Sequence, residues 1–240
     1  MTKFSRDELI SLSKICHKNN CHHDVISYMK EVIKMGTPLN FHEREMLFNS
    51  YDELIRPYML SFDSSGESGV DEKLQKEINR KAKLKVNRLC NEVIKLLDSD
   101  CVKSDTSIEA FAHYKCFRAS QHKCKGIVAS GKRRQLEIWK SLSLKEEAYE
   151  IGKTLKRSHP VAVFTALEFS TLHFDLTETK DKNLAIASEA YIKGMRQLSE
   201  VSGELKSRAE KLLEQLDENI QEWTEPENIW PYRRPKISLC

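Results

Sequence analysis

The chain has little of what β-rich folds need, because only 8 of its 240 residues are glycine and 6 are proline. A β-sandwich or barrel requires many tight turns, and these residues supply most of them. No hydrophobic run reaches the roughly 18 to 20 residues of a membrane-spanning helix, and the start, MTKFSRDELISLSK, is too charged for a secretory signal peptide. We therefore expect a helical protein that has no membrane span. Its expected location is the cytoplasm, and also the nucleus as a further possibility.

Paired cysteine spacing is also lacking. The seven cysteines are an odd number and are scattered, a pattern that predicts free thiols in a reducing compartment rather than disulfides. They are Cys16, Cys21, Cys90, Cys101, Cys116, Cys124 and Cys240.

A broad basic surface is not expected from the charge distribution. The formal net charge is +3, and residues 231–240 contain Arg233, Arg234, Lys236 and no acid, so the rest of the chain is formally neutral. Nucleic-acid binding uses a basic face or stripe. DNA and RNA are therefore not expected as partners.

What the sequence does contain is a succession of helical signals. Ser5 and Glu8 have capping-box spacing before a helix over about 5–18, and Asn40 and Glu43 repeat it before a third helix that Pro57 is expected to kink or end. The other predicted helices cover about 23–35, 71–98, 106–130 with Gly131 at the stop, 134–157, a strongly apolar segment from His159-Pro160, 182–201, and a segment after Gly203.

Short breaks between these helices predict nine antiparallel helices in a stacked, TPR-like all-α array. Residues 63–69, DSSGESG, are expected to be a flexible linker. The predicted organisation is a helical domain over 1–225 and a flexible basic tail over 226–240.

No catalytic motif accompanies this pattern, since GxGxxG, GxxxxGK[ST], HExxH and GxSxG are all missing. Residues 16–23, CHKNNCHH, contain zinc-ligand types without the spacing of a zinc site, and Cys116, His122 and Cys124 lie on different faces of one helix. We expect no catalytic residue, metal or cofactor. A hydrolase or metal-dependent enzyme built on these Cys/His strings remains an alternative that a metal assay would test.

Several segments resemble the helices of 14-3-3 proteins in the same order. They are YMKEVIKMGTPLNFHEREMLFNSYDELI, LCNEVIKLLD, SHPVAVFTALEFSTLHFDL and LDENIQEW. The likeness spans about 5–225. It implies a nine-helix dimer in which each subunit holds a phosphoserine or phosphothreonine peptide in a concave groove. Such a groove uses a cationic clamp, amide side chains and an apolar wall.

The phosphate clamp that the resemblance implies is altered. Asp52, Met59 and Asp63 stand where the family has a lysine and two arginines. Lys123 and Cys124 stand where it has an arginine and a tyrosine, so one positive charge is kept. Two of these changes introduce anions.

Two arginines are candidate substitutes for the clamp. Arg56 lies three residues before Met59 and therefore on nearly the same face of the third helix. Arg118 lies five residues before Lys123 on the fifth helix. The alternative interpretation is that both are solvated surface arginines.

The peptide-holding positions match better. Asn219 matches an amide that holds the peptide backbone, Glu168 replaces an asparagine with an anion, and Asp175 keeps an acid. Leu167, Leu212 and Trp223 match the apolar wall.

The resemblance also implies dimerisation, as a homodimer or as a heterodimer with family members. Asp24 and Lys81 match one ion pair across the family's subunit seam, while Cys21 and Lys85 stand where a second pair would be.

The tail departs from the family's usual acidic end. Arg233 and Arg234 precede Ser238 by five and four residues, a context that basophilic kinases favour. Ser238 also lies close to the end of the sequence. This arrangement resembles a C-terminal 14-3-3 ligand. Phosphorylated Ser238 would then let the chain bind its own tail and exclude other peptides. An ordinary flexible end is the alternative.

These observations favour a non-enzymatic adaptor that binds phosphorylated partner proteins. The alternative on the same fold is a scaffold that has lost phosphate recognition and binds by other surfaces. Matched phosphorylated and unphosphorylated peptides distinguish the two.

Overall fold

In a computed structural model, residues 4–63, 71–99, 107–176 and 180–224 are described, and they form nine α-helices and no strand. The predicted nine-helix, all-α class is therefore confirmed. The helices are α1 Arg6–Lys18, α2 His22–Lys34, α3 Phe41–Asp63, α4 Glu72–Leu97, α5 Ile108–Ile127, α6 Gly131–Gly152, α7 Pro160–Leu176, α8 Lys180–Gln197 and α9 Gly203–Thr224, with a short 3-10 turn at Leu198–Glu200.

The chain folds as two compact units. The described part of the first comprises 4–63, 71–99 and 120–141, and that of the second comprises 107–119, 142–176 and 180–224. In the first unit α1 packs on α2, α2 on α3 and α3 on α4. In the second unit α7, α8 and α9 pack on one another. Among the described helices, none is long and apolar enough to cross a lipid bilayer.

Both predicted capping boxes are present. The Glu8 N–H donates to Ser5 Oγ at 3.3 Å, and the Ser5 N–H donates to Glu8 Oε2 at 2.7 Å. At the start of α3, the Glu43 N–H donates to Asn40 Oδ1 at 3.0 Å and the Asn40 N–H donates to Glu43 Oε2 at 3.1 Å. These bonds satisfy backbone donors that have no partner inside the helix, and so they fix where α1 and α3 begin.

Several predicted helix boundaries need correction, and one of them is the end of α6, which lies at Gly152 and not near residue 157. Pro57 was predicted to kink or end α3, and the end is wrong: the helix continues to Asp63, with Ile55 and Met59 on either side of the proline held in the core. Gly131 opens α6 and does not follow directly on α5, which already ends at Ile127. Its φ of 57° lies in the left-handed region that glycine adopts without strain. Helix α8 ends at Gln197, and the 3-10 turn replaces its last predicted residues.

The core of the first unit includes two positions of the altered clamp. Met59 and Cys124 pack together with Ile55, Val86, Cys90 and Val128. An arginine at position 59 would place a charge in this apolar cluster, at a high desolvation cost. The two substitutions are therefore compatible with each other, because both residues pack in the same apolar core cluster.

A polar contact joins three helices of the first unit. Glu92 on α4 accepts a hydrogen bond from Tyr51 Oη on α3 at 3.0 Å and forms an ion pair with Lys30 on α2. Burial and the adjacent Glu92 carboxylate raise the pKa of Tyr51, so this phenol stays protonated and keeps donating.

The core of the second unit is built around α7, the segment after His159-Pro160 that is strongly apolar in the sequence. Its Val163 and Leu167 pack against Ala187 of α8 and against three leucines of α9, namely Leu212, Leu213 and Leu216. Helix α6 approaches α7 closely at Gly152, where a Cβ atom would lie 2.2 Å from Thr165 Oγ1. A larger residue at position 152 would push the two helices apart.

Four predictions from the sequence fall wholly or partly outside the described residues. They concern the acidic side chain of Asp63, the linker that follows it, the acidic side chain of Asp175, and the tail with Ser238.

Candidate functional site

The candidate phosphate-binding cations lie in both units. Lys123 is on the part of α5 in the first unit and is 9% exposed. Arg56, half-buried on α3 of the same unit, donates from Nη2 to Glu53 Oε1 at 2.9 Å. Arg118 is partly buried on the part of α5 that belongs to the second unit. The structure thus brings Lys123 and Arg56 into one unit.

Arg56 forms an ion pair at the protein surface. Its partner Glu53 is one turn earlier on α3, and about two fifths of each side chain is exposed. Pairs of this kind contribute about 0 to 1 kcal/mol, so an incoming phosphate competes with Glu53 at little cost.

A buried charged cluster on α5 and α6, which was not predicted from the sequence, includes two residues close to Lys123 in the chain. The ring of His122 contacts Glu137 Oε2 through Nδ1 at 2.6 Å, and Lys125 Nζ lies 3.2 Å from Glu137 Oε1. Burial lowers the pKa of His122 in spite of the adjacent carboxylate, so the ring is neutral at pH 7. Burial pushes the pKa of Glu137 upward, but the hydrogen bonds from His122 and Lys125 outweigh it and lower the pKa.

The consequence is electrostatic. An ionised Glu137, a protonated Lys125 and a neutral His122 sum to no net charge, so this cluster does not oppose an anion at Lys123. No pattern in the sequence predicts the cluster, because it depends on the packing of α5 against α6.

The predicted anion Glu168 is compensated in the second unit. Glu168 on α7 and Lys145 on α6 are both buried and form an ion pair. The sequence alone indicates that Glu168 adds an anion to the groove, whereas in the structure Lys145 cancels its charge locally. Lys145 was missed because its partner lies 23 positions away on another helix.

Four half-buried side chains form a polar and aromatic ladder between α7 and α9, which we call the α7/α9 ladder. Asn219 Nδ2 donates to Thr171 Oγ1 at 3.2 Å. The rings of Phe174 and Trp223 are stacked, with centroids 4.6 Å apart and planes 11° apart. Asn219 and Trp223 were predicted from the sequence, but their partners on α7 were not. These partners could have been predicted from spacing. Thr171 and Phe174 are three residues apart on α7, and Asn219 and Trp223 are four apart on α9, so the two residues on each helix share one face.

Leucines from both helices lie beside this ladder. Leu167 and Leu212 are buried in the core cluster that Trp223 also contacts. They give the ladder a rigid apolar base.

The Cys/His strings do not form a metal site in the described part of the chain, where no three His, Cys, Asp or Glu side chains converge. Cys16, Cys21, Cys90, Cys116 and Cys124 are free thiols, and Cys101 and Cys240 lie outside the described residues. Burial raises the pKa of Cys116, which favours the unreactive thiol form.

Comparison with known proteins places this helical fold in a family. The family model described as "14-3-3 protein" matches residues 12–224. The chain belongs to the 14-3-3 family. Members of this family are non-enzymatic adaptors that bind phosphorylated partners and dimerise, and membership supports the same general role here.

The 14-3-3 relatives are distant but cover nearly the whole chain. 14-3-3 protein 2 of Entamoeba histolytica is 26% identical over 229 residues, which cover 92% of this chain and 96% of that protein. 14-3-3 protein zeta of Xenopus laevis is 25% identical over 227 residues, covering 91% and 93%. 14-3-3 protein beta/alpha of Mus musculus is 24% identical over 227 residues, covering 91% and 92%.

Proposed function

We propose that this 14-3-3 protein binds phosphoserine or phosphothreonine segments of partner proteins, with a phosphate clamp weaker than that of its relatives. The α7/α9 ladder carries the proposal. It presents an oriented amide and a fixed aromatic ring, two groups that bind an extended peptide without reference to most of its side chains.

Asn219 is prepared for this role by Thr171. The bond to Thr171 Oγ1 uses one hydrogen of the amide and fixes its plane. The other hydrogen and the carbonyl oxygen of the amide are the groups that pair with a peptide main chain. Stacking on Phe174 fixes Trp223 in the same way, so little side-chain freedom is lost when a peptide binds.

Lys123 and Arg56 are the proposed phosphate ligands in the first unit. Lysine acts as a point charge and cannot form the bidentate contact that an arginine makes with phosphate. Each charge-assisted hydrogen bond contributes roughly 1.5 to 3 kcal/mol. We therefore expect phosphate recognition to survive with lower affinity.

The test compares one peptide in phosphorylated and unphosphorylated form, with binding measured by calorimetry. We expect tighter binding of the phosphopeptide. Lys123→Glu should abolish that preference, and the milder Lys123→Gln should reduce it, while Asn219→Ala should weaken both peptides. Lys193→Gln on α8 is the matched control, since Lys193 pairs with Glu189 on the protein surface. Thermal melting checks that each variant is folded.

The alternative, a scaffold that has lost phosphate recognition, is favoured by the burial of Met59 and Cys124 in the core. Equal affinity for the two peptides in the unaltered protein would support this alternative and refute our proposal. A phosphate preference that survives Lys123→Glu would place the clamp on other cations, of which Arg118 is the first to test.

The tail suggests a regulatory extension of this function. Ser238, preceded by Arg233 and Arg234, is a candidate site for a basophilic kinase, and its phosphorylation would add about −1.5 to −2 charge. Fifteen residues separate Trp223 from Ser238 and span up to roughly 50 Å. A tethered phosphoserine has an effective concentration in the millimolar range, so even a weak clamp would hold it.

Self-binding predicts competition with external ligands. Protein phosphorylated at Ser238 should bind an external phosphopeptide more weakly than a version that ends at Pro231. Equal affinities, together with no thermal stabilisation by a free phosphorylated tail peptide, would rule the mechanism out.

A further inference from the structure

The first half of α6 carries a basic and apolar surface that the proposed peptide binding does not use. We call it the α6 patch and define it as Lys132, Arg133, Arg134, Leu136, Trp139 and Lys140. Trp139 is 65% exposed and Leu136 is 49% exposed, one turn apart on the same helix. Large apolar side chains in such positions mark interaction sites more often than isolated surface residues do.

The patch has uncompensated positive charge. Its four cations follow Gly131, and the one acid among them, Glu137, is buried and occupied by His122 and Lys125. Within the described ranges, no carboxylate forms an ion pair with Lys132, Arg134 or Lys140. The net field of this surface is therefore positive although the chain up to residue 230 is formally neutral.

Helix α4 extends the basic surface. Arg133 Nη2 lies 3.5 Å from Asn87 Oδ1, which places the start of α6 beside α4. The stretch around Asn87, residues 83–88 with the sequence KLKVNR, contains three basic residues and no acid, whereas Arg80 and Lys81 just before it pair with Glu77. Lys83 is one turn before Asn87 on the same face, and its carbonyl accepts a hydrogen bond from that side chain.

We propose that the α6 patch binds the surface of membranes rich in anionic lipids. Consecutive cations at positions 132, 133 and 134 point about 100° apart around the helix, so they suit a diffuse negative surface better than a single carboxylate. Trp139 is a projecting ring, and a lipid interface accepts such a ring without a shaped pocket. Cations beside Trp and Leu are the composition by which helices bind anionic membrane surfaces.

The proposal is independent of the peptide site. None of the α6 patch residues is a candidate phosphate or peptide ligand, so both activities are measurable in the same protein. A phosphopeptide and a membrane would be held by different parts of the chain.

The experiment uses the full chain and sedimentation with vesicles of phosphatidylcholine, with and without phosphatidylserine. We expect binding only to the anionic vesicles, and loss of binding at ~1 M salt, where charges are screened within about 3 Å. Each cation contributes about fivefold to such binding, so Lys132→Glu with Arg134→Glu should weaken it by at least ~25-fold.

Two further variants test the apolar component. Leu136→Ser and Trp139→Ser should each weaken binding severalfold, whereas the control Ile192→Ser, at a site 48% exposed on α8, should not. Anionic vesicles should also shift the tryptophan emission of the unaltered protein to shorter wavelength, and Trp139→Phe should remove this shift. Phosphopeptide affinity and melting temperature should stay unchanged in all these variants.

Three results would overturn the proposal. Equal binding to neutral and anionic vesicles would exclude the cations as the cause. Binding that survives in the charge-reversed variant would place the lipid surface elsewhere. Binding of an acidic peptide or a single-stranded oligonucleotide without any binding of anionic vesicles would identify a different class of partner for the patch.

Discussion

Lys145 and Glu168 form a buried ion pair whose partners depend on each other. Both side chains are almost completely inaccessible, so removal of one leaves an uncompensated charge in the core of the second unit. Lys145→Met should therefore destabilise the protein by about 3 to 5 kcal/mol. Urea unfolding monitored by circular dichroism measures this change.

The double variant Lys145→Met/Glu168→Leu is the decisive control for this pair. Replacing both charges by apolar groups removes the unpaired carboxylate, and such replacements are often neutral or stabilising. The double variant should be more stable than Lys145→Met alone. If the single variant loses less than about 1 kcal/mol, the two charges are not coupled as described.

His122 should make stability depend on pH. Burial and the nearby cations Lys125 and Lys140 lower its pKa against the opposing effect of Glu137. A folded-state pKa below the unfolded value of about 6.5 means that the unfolded chain binds the proton more readily. The His122 contribution is therefore complete above about pH 6.5 and is lost as the pH falls through the lower folded-state pKa.

The measurement is urea unfolding at about pH 7.5 and 5.5 for the unaltered protein and for His122→Gln. Glutamine keeps a donor for Glu137 but cannot become charged, so it should lose less stability on acidification. The other titrating groups, such as His17, act equally in both proteins and cancel. A parallel loss in the two proteins would contradict the assignment.

Asn40 determines where α3 begins. Its side chain accepts a hydrogen bond from the Glu43 N–H. The Glu43 carboxylate in turn forms an ion pair with Arg6 at 2.6 Å, so the cap also attaches α1 to α3. Asn40→Ala should cost about 0.5 to 2 kcal/mol in urea unfolding. Asn40→Ser keeps a capping oxygen and should stay close to the unaltered protein. Equal losses in both variants would mean that the cap is not the cause.

Helix types and starts could be predicted because they depend on residues close in sequence. The capping boxes at Ser5 and Asn40 and the apolar periodicity need no knowledge of tertiary packing. Helix α3 was different, because its continuation through Pro57 depends on the burial of Ile55 and Met59. Tertiary contacts outweighed the local signal there.

The candidate site shows the same division between local and distant information. Asn219 and Trp223 were found from a local motif, and Thr171 and Phe174 stand three residues apart on one face of the facing helix, close to the four-residue spacing of their partners. Lys145 and the cluster around Glu137 could not be found, because a charged residue in a sequence is usually solvated. Only packing shows that these charges are buried and paired.

At the level of the assembled protein, the resemblance implies dimerisation through a seam in which the positions of one family ion pair, Asp24 and Lys81, are kept. Asp24 in the first turn of α2 and Lys81 on α4 are both exposed. In its own chain Lys81 contacts only Glu77 among the described carboxylates, at 3.6 Å, so little would be lost on forming a pair with Asp24 of a second subunit.

A charge reversal tests this seam. Asp24→Lys should weaken self-association, because the attraction to Lys81 becomes a repulsion. An exposed pair contributes about 0 to 1 kcal/mol, so the dissociation constant should rise by up to roughly fivefold for each of the two symmetric pairs. Sedimentation velocity over a range of protein concentrations measures the effect.

The second reversal separates this contact from a general loss of association. Lys81→Asp alone should weaken the dimer as Asp24→Lys does, but the two changes together recreate an opposite pair across the seam and should restore most of the affinity. Lys85→Asp combined with Asp24→Lys is the matched control, since Lys85 stands where the family's second pair is missing. If that combination restores association equally well, the subunits are arranged differently from those of the relatives.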